Sequence, residues 1–356
     1  MKVIMTINSL GGGGSERVMS DLANYFDKKG WEVVIVTFSN SKVQDHYKLN
    51  DNILRKNIDI KSSGNFFSKM VRNVRQIFYL RIFILKLKPD TVLSFLTTRN
   101  VISILSTLFT NTRTVVSERT NPKIFTGTPL VWRLGRFLFY RYADLVIVQT
   151  KEVESFISKH TNAKTLVLPN PLRQLAEQSY KRENIITSIG RIDEYKNQKI
   201  LIKAFIKIHN NYPHWKLVII GKGTGLGEIK RMVIDNNMLE HIQILGWVDN
   251  IEEWYSKSGI IFQPSLVEGT SNVVLEAMAM GAPIVAHYGC SNHLIKDNFN
   301  GRLVNMNDCK IILSILSELI EDKEQRLRIG NNARSVKYKY SHKKIMPLWE
   351  EALTNL

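Results

Sequence analysis

Residues 2–17 read Lys2-Val3-Ile4-Met5-Thr6-Ile7-Asn8-Ser9-Leu10-Gly11-Gly12-Gly13-Gly14-Ser15-Glu16-Arg17. An apolar run of strand length gives way to four glycines, and the glycines open onto a helical pattern over 15–29. Ser15 stands where an N-cap belongs. A short, continuously apolar run suits a strand buried on both faces of a parallel sheet. The same unit of strand, turn and helix recurs along the chain. Strands are expected at 3–7, 33–37, 91–95, 114–117, 145–149 and 165–168, with helices at 15–29, 66–87 and 131–142 among them. A second run has strands at 185–190, 216–220, 242–245, 259–263 and 283–286 and helices at 198–210, 226–236, 251–257, 271–280 and 308–332. Two alternating runs predict an α/β protein of two doubly wound parallel-sheet domains facing across a cleft, with ligand at the carboxyl ends of the strands. The join is placed at Leu168-Pro169-Asn170-Pro171, where two prolines end a strand and start a turn, before a polar stretch at 174–183. The domains then run over 1–170 and 171–335, and 336–356 is expected to be a C-terminal helix packing back toward the first domain.

The 356 residues suffice for two ordinary α/β domains, and 44% hydrophobic with 23% charged residues is the balance of a soluble globular chain. The two cysteines, Cys290 and Cys309, make no disulfide framework and have no ligand-spaced Cys or His partner. A reducing compartment is therefore expected, and a structural zinc site is not. Residues 1–8 are too short and too polar at their end for a secretory signal. No apolar run approaches the roughly 20 residues that span a bilayer. The expectation is a cytoplasmic protein, free or held peripherally on the inner face of the cell membrane. The net charge of +17 is uneven: residues 1–170 hold 25 Lys+Arg against 12 Asp+Glu (+13), and residues 171–356 hold 24 against 20 (+4). A one-sided positive field favours an anionic partner, although charge also serves solubility. No recognised nucleic-acid motif accompanies it, so nucleic acid is not expected.

Glycines after the first strand let a ligand approach the backbone, or form a plain flexible turn. Gly12 and Gly14 supply the first pair of the dinucleotide fingerprint, but Arg17 stands where its third glycine belongs, which disfavours a nicotinamide dehydrogenase. In the second half, Gly190-Arg191-Ile192-Asp193-Glu194-Tyr195-Lys196-Asn197 succeeds a strand. Arg191 can fork onto phosphate oxygens, and Lys196 adds a mobile point charge. Further on stands Glu268-Gly269-Thr270-Ser271-Asn272-Val273-Val274-Leu275-Glu276. Glu268 belongs to a loop, Thr270 or Ser271 caps the helix, and Glu276 lies early in it, where the macrodipole favours a carboxylate. Backbone N–H groups at a helix start attract phosphate. Two carboxylates beside them accept hydrogen bonds from sugar hydroxyls, and two cations neutralise a diphosphate. The set suits a nucleotide-sugar.

In this order the motifs resemble the GT-B glycosyltransferases of family four (glycosyl transferases group one) over nearly the whole chain. Gly221-Lys222-Gly223, Leu245-Gly246-Trp247-Val248, Gly281-Ala282-Pro283-Ile284-Val285-Ala286 and Asn300-Gly301-Arg302-Leu303-Val304 carry the likeness together with the Gly-rich first loop, the Arg191–Lys196 loop and the Glu268–Glu276 stretch. The resemblance implies two Rossmann-like domains and a retaining hexosyl or N-acetylhexosaminyl transferase drawing on a nucleotide-sugar, with UDP-sugar preferred. It implies that Arg191 and Lys196 bind the donor diphosphate, Glu268 the hydroxyls of the donor sugar and Glu276 the ribose. The backbone of Gly269, Thr270 and Ser271 would meet the phosphates, Trp247 and Val248 would border the nucleobase, and Gly13 and Gly14 would approach from the first domain. Family members commonly work without a metal and this chain has no Asp-x-Asp motif, so neither metal nor other cofactor is expected. Retention implies attack on the face the leaving group vacates, with the donor phosphate taking the acceptor proton and no protein nucleophile. Many members carry a histidine after the strand at 114–117. Here Ser117-Glu118-Arg119-Thr120 stands there, which puts Glu118 and Arg119 near sugar or acceptor without transferring the histidine's role. His293 stands in a loop where relatives often have an acid.

Some relatives extend polyprenyl-diphosphate-linked glycans at the inner membrane, so a lipid-linked glycan in surface polysaccharide or glycoconjugate synthesis is the preferred acceptor. Lys69, Arg72, Arg75, Arg81, Lys86 and Lys88 decorate a helix with an apolar stripe at Phe67, Val71, Val74, Phe78, Ile82 and Leu85, and no acid interrupts it before Asp90. Residues 132–142 mix aromatics with Arg133, Arg136 and Arg141. Such surfaces suit an anionic bilayer or a lipid diphosphate. Equally, the stripe packs on the first sheet while the cations face water. Two other functions fit the same shape: a catalytically silent partner that holds nucleotide-sugar or glycan, and an epimerase that releases altered sugar without an acceptor.

Overall fold

The computed structural model describes residues 1–39, 45–61, 63–175 and 181–355, without the side chains of Phe66, Cys290 and Ser291. Residues 176–180 of the polar stretch at 174–183 lie outside the described residues. The chain divides into two compact units, Met1–Pro171 with Lys343–Leu356, and Leu172–His342. The first holds β1 (Lys2–Ile7), α1 (Gly14–Lys28), β2 (Glu32–Thr37), β3 (Leu54–Asn57), α2 (Phe66–Leu87), β4 (Thr91–Phe95), α3 (Thr97–Thr107), β5 (Arg113–Ser117), α4 (Leu130–Phe139), β6 (Leu145–Val148), α5 (Lys151–Thr161) and β7 (Thr165–Val167). The second holds β8 (Glu183–Ile189), α6 (Gln198–Ile208), β9 (Lys216–Ile220), α7 (Leu226–Asp235), β10 (Ile242–Gly246), α8 (Ile251–Lys257), β11 (Ser258–Gln263), α9 (Asn272–Ala279), β12 (Ile284–His287), α10 (Tyr288–Ser291), β13 (Arg302–Val304), α11 (Cys309–Glu321), α12 (Lys323–Ala333) and α13 (Val336–Lys339). The last helix, α14 (His342–Thr354), lies from Lys343 onward in the first unit.

Both sheets are parallel, in the orders β3-β2-β1-β4-β5-β6-β7 and β10-β9-β8-β11-β12-β13. Each winds one way from its first strand, then returns to that strand's other side, so the switch points lie between β1 and β4 and between β8 and β11. The apolar run of β1 has two destinations. Val3, Met5 and Ile7 pack with Val18, Leu22 and Phe26 of α1 and with Met346 and Trp349 of α14. Ile4, on the opposite face, packs with Leu80 and Ile84 of α2 and Ile102 of α3. A strand covered on both sides has no use for polar alternation, which is why it reads as continuous apolar sequence.

α14 completes one wall of the first unit. Trp349 is fully buried, its ring lies 5.8 Å from that of Phe95, and its Nε1 donates to the Pro169 carbonyl at 3.4 Å. Glu350 accepts from Tyr25 Oη at 2.6 Å and pairs with Lys29 at 3.2 Å. The segment 336–356 is thus two helices rather than one, with α13 in the second unit. The helix expected over 308–332 is also two. Asp322 ends α11 and caps α12, its Oδ1 accepting from Gln325 N at 2.8 Å. At the other end of the chain α1 begins at Gly14 with Gly13 as N-cap, so Ser15 sits inside the first turn rather than capping it.

Candidate functional site

The loops after β8 and β11 flank the switch point of the second sheet, and a hydrogen bond from Leu266 N to the Tyr195 carbonyl (2.8 Å) ties them together. Gly190 succeeds β8 with φ 143, and its carbonyl oxygen lies so near Gly221 that a Cβ at 221 would collide with it. A glycine is therefore required where the ends of β8 and β9 approach. Ile192 N donates to the Lys222 carbonyl at 3.0 Å and Gly225 N to the Ile192 carbonyl at 2.9 Å, which fixes the loop's course. Asp193 orders the remainder of the loop: Oδ1 accepts from Lys196 N at 2.9 Å, and Oδ2 pairs with Arg191 Nη2 at 3.0 Å. The Arg191 side chain is left 70% exposed. Lys196 turns instead to Glu268, its Nζ bonded to Oε1, with the two side chains 19% and 17% exposed. The structure thus joins Lys196 to Glu268 and holds Arg191 on the same short loop through Asp193.

Glu268 leads through Gly269, Thr270 and Ser271 into α9. Ser271 occupies the N-cap position, yet its side chain makes no capping bond, and Thr270 Oγ1 is engaged with His293 Nε2 at 3.0 Å. Ser271 thus supplies no hydroxyl cap to α9, and backbone N–H groups at a helix start attract anions. Burial, and secondarily Lys339, push the His293 imidazole down to about 4, so it is neutral at pH 7. Glu276 lies in the second turn of α9, early in the helix, where the macrodipole acts on it less than on a first-turn acid. It is buried, and its Oε2 accepts from Tyr255 Oη at 2.8 Å. Tyr255, on α8, escapes a reading of the sequence because nothing local marks a tyrosine 21 positions away as this carboxylate's partner. Trp247 comes after Gly246 (φ 73) and is 41% exposed, while Val248 is half-buried against the core under α9.

In the first unit, Gly13 and Gly14 lie beyond β1, where a Cβ on Gly13 would strike the Glu16 carboxylate folded back over the loop. Glu118 and Arg119 come directly after β5 and are both buried. Glu118 accepts from Thr97 Oγ1 and Tyr140 Oη at 2.9 Å each and pairs with Arg136 at 3.4 Å. Two expectations change here. The Glu118 side chain is 0% exposed and committed to the fold, so it is not at hand for sugar or acceptor. Arg136, 3% exposed, is its counter-ion and not a membrane-facing cation, because a buried carboxylate needs a charge beside it. Arg119 lies over the Phe95 ring at 4.5 Å and donates to Asn170 Oδ1 at 2.5 Å; burial, then Arg17, hold it down at about 9.

The helix at 66–87 uses its two faces differently. The sheet takes Leu80 and Ile84, while Phe67 (68%), Val74, Phe78 (61%), Ile82 and Leu85 are exposed and Val71 is half-buried. α3 packs against both α2 and α4, and α4 exposes Leu130, Val131, Leu134 and Leu138. Lys69 and Arg75 are exposed beside this apolar surface, and Arg72 and Arg133 are half-buried. Among the described residues no helix is long and apolar enough to cross a membrane.

Residues 12–173 match the family model Glycosyltransferase Family 4, and residues 174–336 match Glycosyl transferases group 1. The GalNAc-alpha-(1->4)-GalNAc-alpha-(1->3)-diNAcBac-PP-undecaprenol alpha-1,4-N-acetyl-D-galactosaminyltransferase of Campylobacter jejuni is 28% identical over 341 residues, covering 94% of this chain and 93% of that protein. Among solved structures, sucrose-phosphate synthase from Thermosynechococcus elongatus has a TM-score of 0.84 at 15% identity, covering 100% of this chain and 99% of that one. Anabaena HepE, solved in complex with UDP-glucose, has a TM-score of 0.77 at 16% identity over 100% of both chains. At such identities the two structures speak to fold alone. With one model on each unit and two parallel Rossmann-like sheets beneath them, the chain belongs to the GT-B glycosyltransferases, family 4 in its first half and group 1 in its second.

Proposed function

We propose that the protein transfers a hexose or N-acetylhexosamine, with retention of configuration, from a UDP-sugar to a polyprenyl-diphosphate-linked glycan in surface polysaccharide synthesis. One observation carries the donor half of this reading: Lys196 and Glu268 meet at the β8/β11 switch point, beside Arg191 and directly ahead of the start of α9. The donor diphosphate draws on Arg191 and Lys196 and on the N–H groups at the start of α9. A carboxylate has more acceptor sites than one ammonium uses, so Glu268 can accept sugar hydroxyls while it steadies Lys196. Glu276, aimed by Tyr255, accepts from the ribose. The anomeric carbon leaves its phosphate oxygen and bonds the acceptor hydroxyl oxygen on the same face. The hydroxyl proton passes to the departing phosphate, and products are UDP and the lengthened glycan. Negative charge grows on the leaving diphosphate, where two fixed cations lower the barrier and meet the need that a metal fills elsewhere.

The acceptor half is supported by the Campylobacter relative, whose acceptor is a diphospho-undecaprenol glycan. It is also supported by the exposed apolar and basic surface of α2 and α4, which suits the face of an anionic bilayer where such an acceptor lies. The test is a thermal-shift screen of UDP- and GDP-sugars, and then transfer of the stabilising donor's sugar to lipid-linked glycan, with and without chelator. Donor binding with turnover that persists in chelator is the expected outcome. Donor binding without turnover on any lipid-linked acceptor would return the silent-partner reading to first place.

A further inference from the structure

Arg99 stands in the first turn of α3, just past the carboxyl end of β4, and is 5% exposed. Its Nη1 donates to Gln76 Oε1 of α2 at 2.9 Å, its guanidinium lies 4.3 Å from the Phe38 ring, and its buried Nε has no hydrogen-bond partner. The neighbouring charge that acts on it is not an acid but a second guanidinium, Arg72 of α2, and burial together with that repulsion pushes Arg99 down to about 9. Arg72 also has a buried Nε without a partner. Two other buried arginines of this unit have an acid beside them, Arg17 pairing with Asp21 at 2.7 Å and Arg136 with Glu118 at 3.4 Å, whereas Arg119 donates to Asn170 and, like Arg99, has a buried Nε without a partner. Glu118 itself reaches the start of α3 through Thr97 but is committed there and to Tyr140 and Arg136.

The backbone adds to the same field. N–H groups at the start of α3 carry partial positive charge. Leu96, which precedes the helix, is held at φ 77, a costly conformation for a leucine. β4 borders the switch point of the first sheet, where parallel sheets receive ligands. A buried cation lacking a counter-ion costs far more than a surface one unless a ligand supplies the missing charge.

We infer that Arg72, Arg99 and the amino end of α3 form an oxyanion site for a phosphate or diphosphate group. Two sources share that chemistry, the diphosphate of a lipid-linked acceptor and free phosphate. Assignment to the acceptor rests on the proposed transfer reaction, whereas the site does not.

The test uses the full chain and inorganic pyrophosphate in isothermal titration calorimetry, with R99Q, R72Q and K196A beside the wild type. R99Q removes an uncompensated buried charge and is expected to fold; R72Q, at a half-buried position, gives an independent reading. Loss of charged hydrogen bonds should weaken pyrophosphate binding by about tenfold or more in both, while K196A keeps that binding event. Equal affinity in R99Q, R72Q and wild type, or no binding to the wild type, overturns the site. Vesicles of phosphatidylglycerol with and without a polyprenyl diphosphate separate the sources. Arg99-dependent binding confined to diphosphate-bearing vesicles identifies the acceptor, and Arg99 dependence with pyrophosphate alone identifies free phosphate. Absence of sugar transfer would sink the proposed reaction and leave the pyrophosphate result standing.

Discussion

Lys196 Nζ bonds Glu268 Oε1 although 72 positions separate the two residues. The contact joins the loop after β8 to the loop after β11, the two strands between which the second sheet changes its direction of winding. Neither residue is exposed enough for water to screen the pair fully. Each therefore holds the other in place before any ligand arrives, and a bound diphosphate would share a cation that is already positioned.

Lys196→Ala, Arg191→Ala and Glu268→Ala should each lower kcat by roughly 10²–10³ while far-UV circular dichroism stays unchanged, the scale set by removing one donor to a developing anion. Lys196→Ala with Glu268→Ala should lose less than the product of the single losses, since the two act as a unit. Steady-state kinetics with the donor identified by thermal shift provides the check. Wild-type rates in all three single variants would remove this site from consideration.

Glu276 and Tyr255 form a buried pair whose role is separable from that of Glu268. Tyr255→Phe leaves the carboxylate in place but takes away one of its donors. A stability loss of about 1 kcal/mol is expected, with a rise in KM for the nucleotide-sugar and little change in kcat, because the ribose is remote from the bond that breaks. A fall in kcat with KM unmoved would place Glu276 nearer the reacting carbon than the ribose.

Much of the fold is legible in the residues themselves. Strands such as β1, β4 and β9 show as apolar runs because helices cover both faces of their sheets, and Glu268-Gly269 ahead of an apolar helix marks the site's loop. The parts that escape have physical reasons. β3 reads Leu54-Arg55-Lys56-Asn57 because an edge strand with charged residues resists further pairing, and so it looks like a loop. α3 starts Thr97-Thr98-Arg99-Asn100, in which Thr97, Thr98 and Asn100 are poor helix formers that burial between α2 and α4 overrides. Arg136 and the exposed stripe of α2 cannot be assigned from periodicity alone. An amphipathic pattern tells which residues share a face, and not whether that face meets a sheet, a carboxylate or water.

His293 makes a prediction in pH. Its folded value of about 4 lies below the ordinary 6.5, the direction that burial imposes. Above about 6.5 both folded and unfolded chains hold it neutral, and its contribution to stability is fully present. As pH falls from there toward 4 the unfolded chain takes the proton first, so stability on the order of 3 kcal/mol is lost across this window. Urea unfolding at pH 7 and pH 5 should therefore show a larger acid loss in wild type than in His293→Asn. Equal losses in the two proteins would mean that the ring is solvated.

The buried pair Arg136–Glu118 gives a stability test of its own. Arg136→Met leaves a carboxylate with 0% exposure and no counter-charge, an arrangement that costs roughly 3–5 kcal/mol. Arg136→Met with Glu118→Gln should recover a good part of that loss. Thermal melts of the single and double variants decide the matter, and a single variant that melts with the wild type would show the pair to be hydrated.

The exposed faces of α2 and α4 carry the last prediction. Phe67, Phe78, Leu130 and Leu134 stand more than half exposed, with Lys69 and Arg75 near those on α2 and no acid in either helix. An apolar face with basic flanks gains from both acyl chains and anionic headgroups. Phe67→Glu with Phe78→Glu should abolish co-sedimentation with phosphatidylglycerol vesicles, because each change removes apolar area and adds the wrong charge. Lys69→Glu with Arg75→Glu should weaken it by a smaller factor that shrinks as salt is raised. Neither pair packs on the sheet, so both variants should melt with the wild type and keep donor binding in solution. Undiminished vesicle binding by the double phenylalanine variant would mean that this surface serves something other than a bilayer.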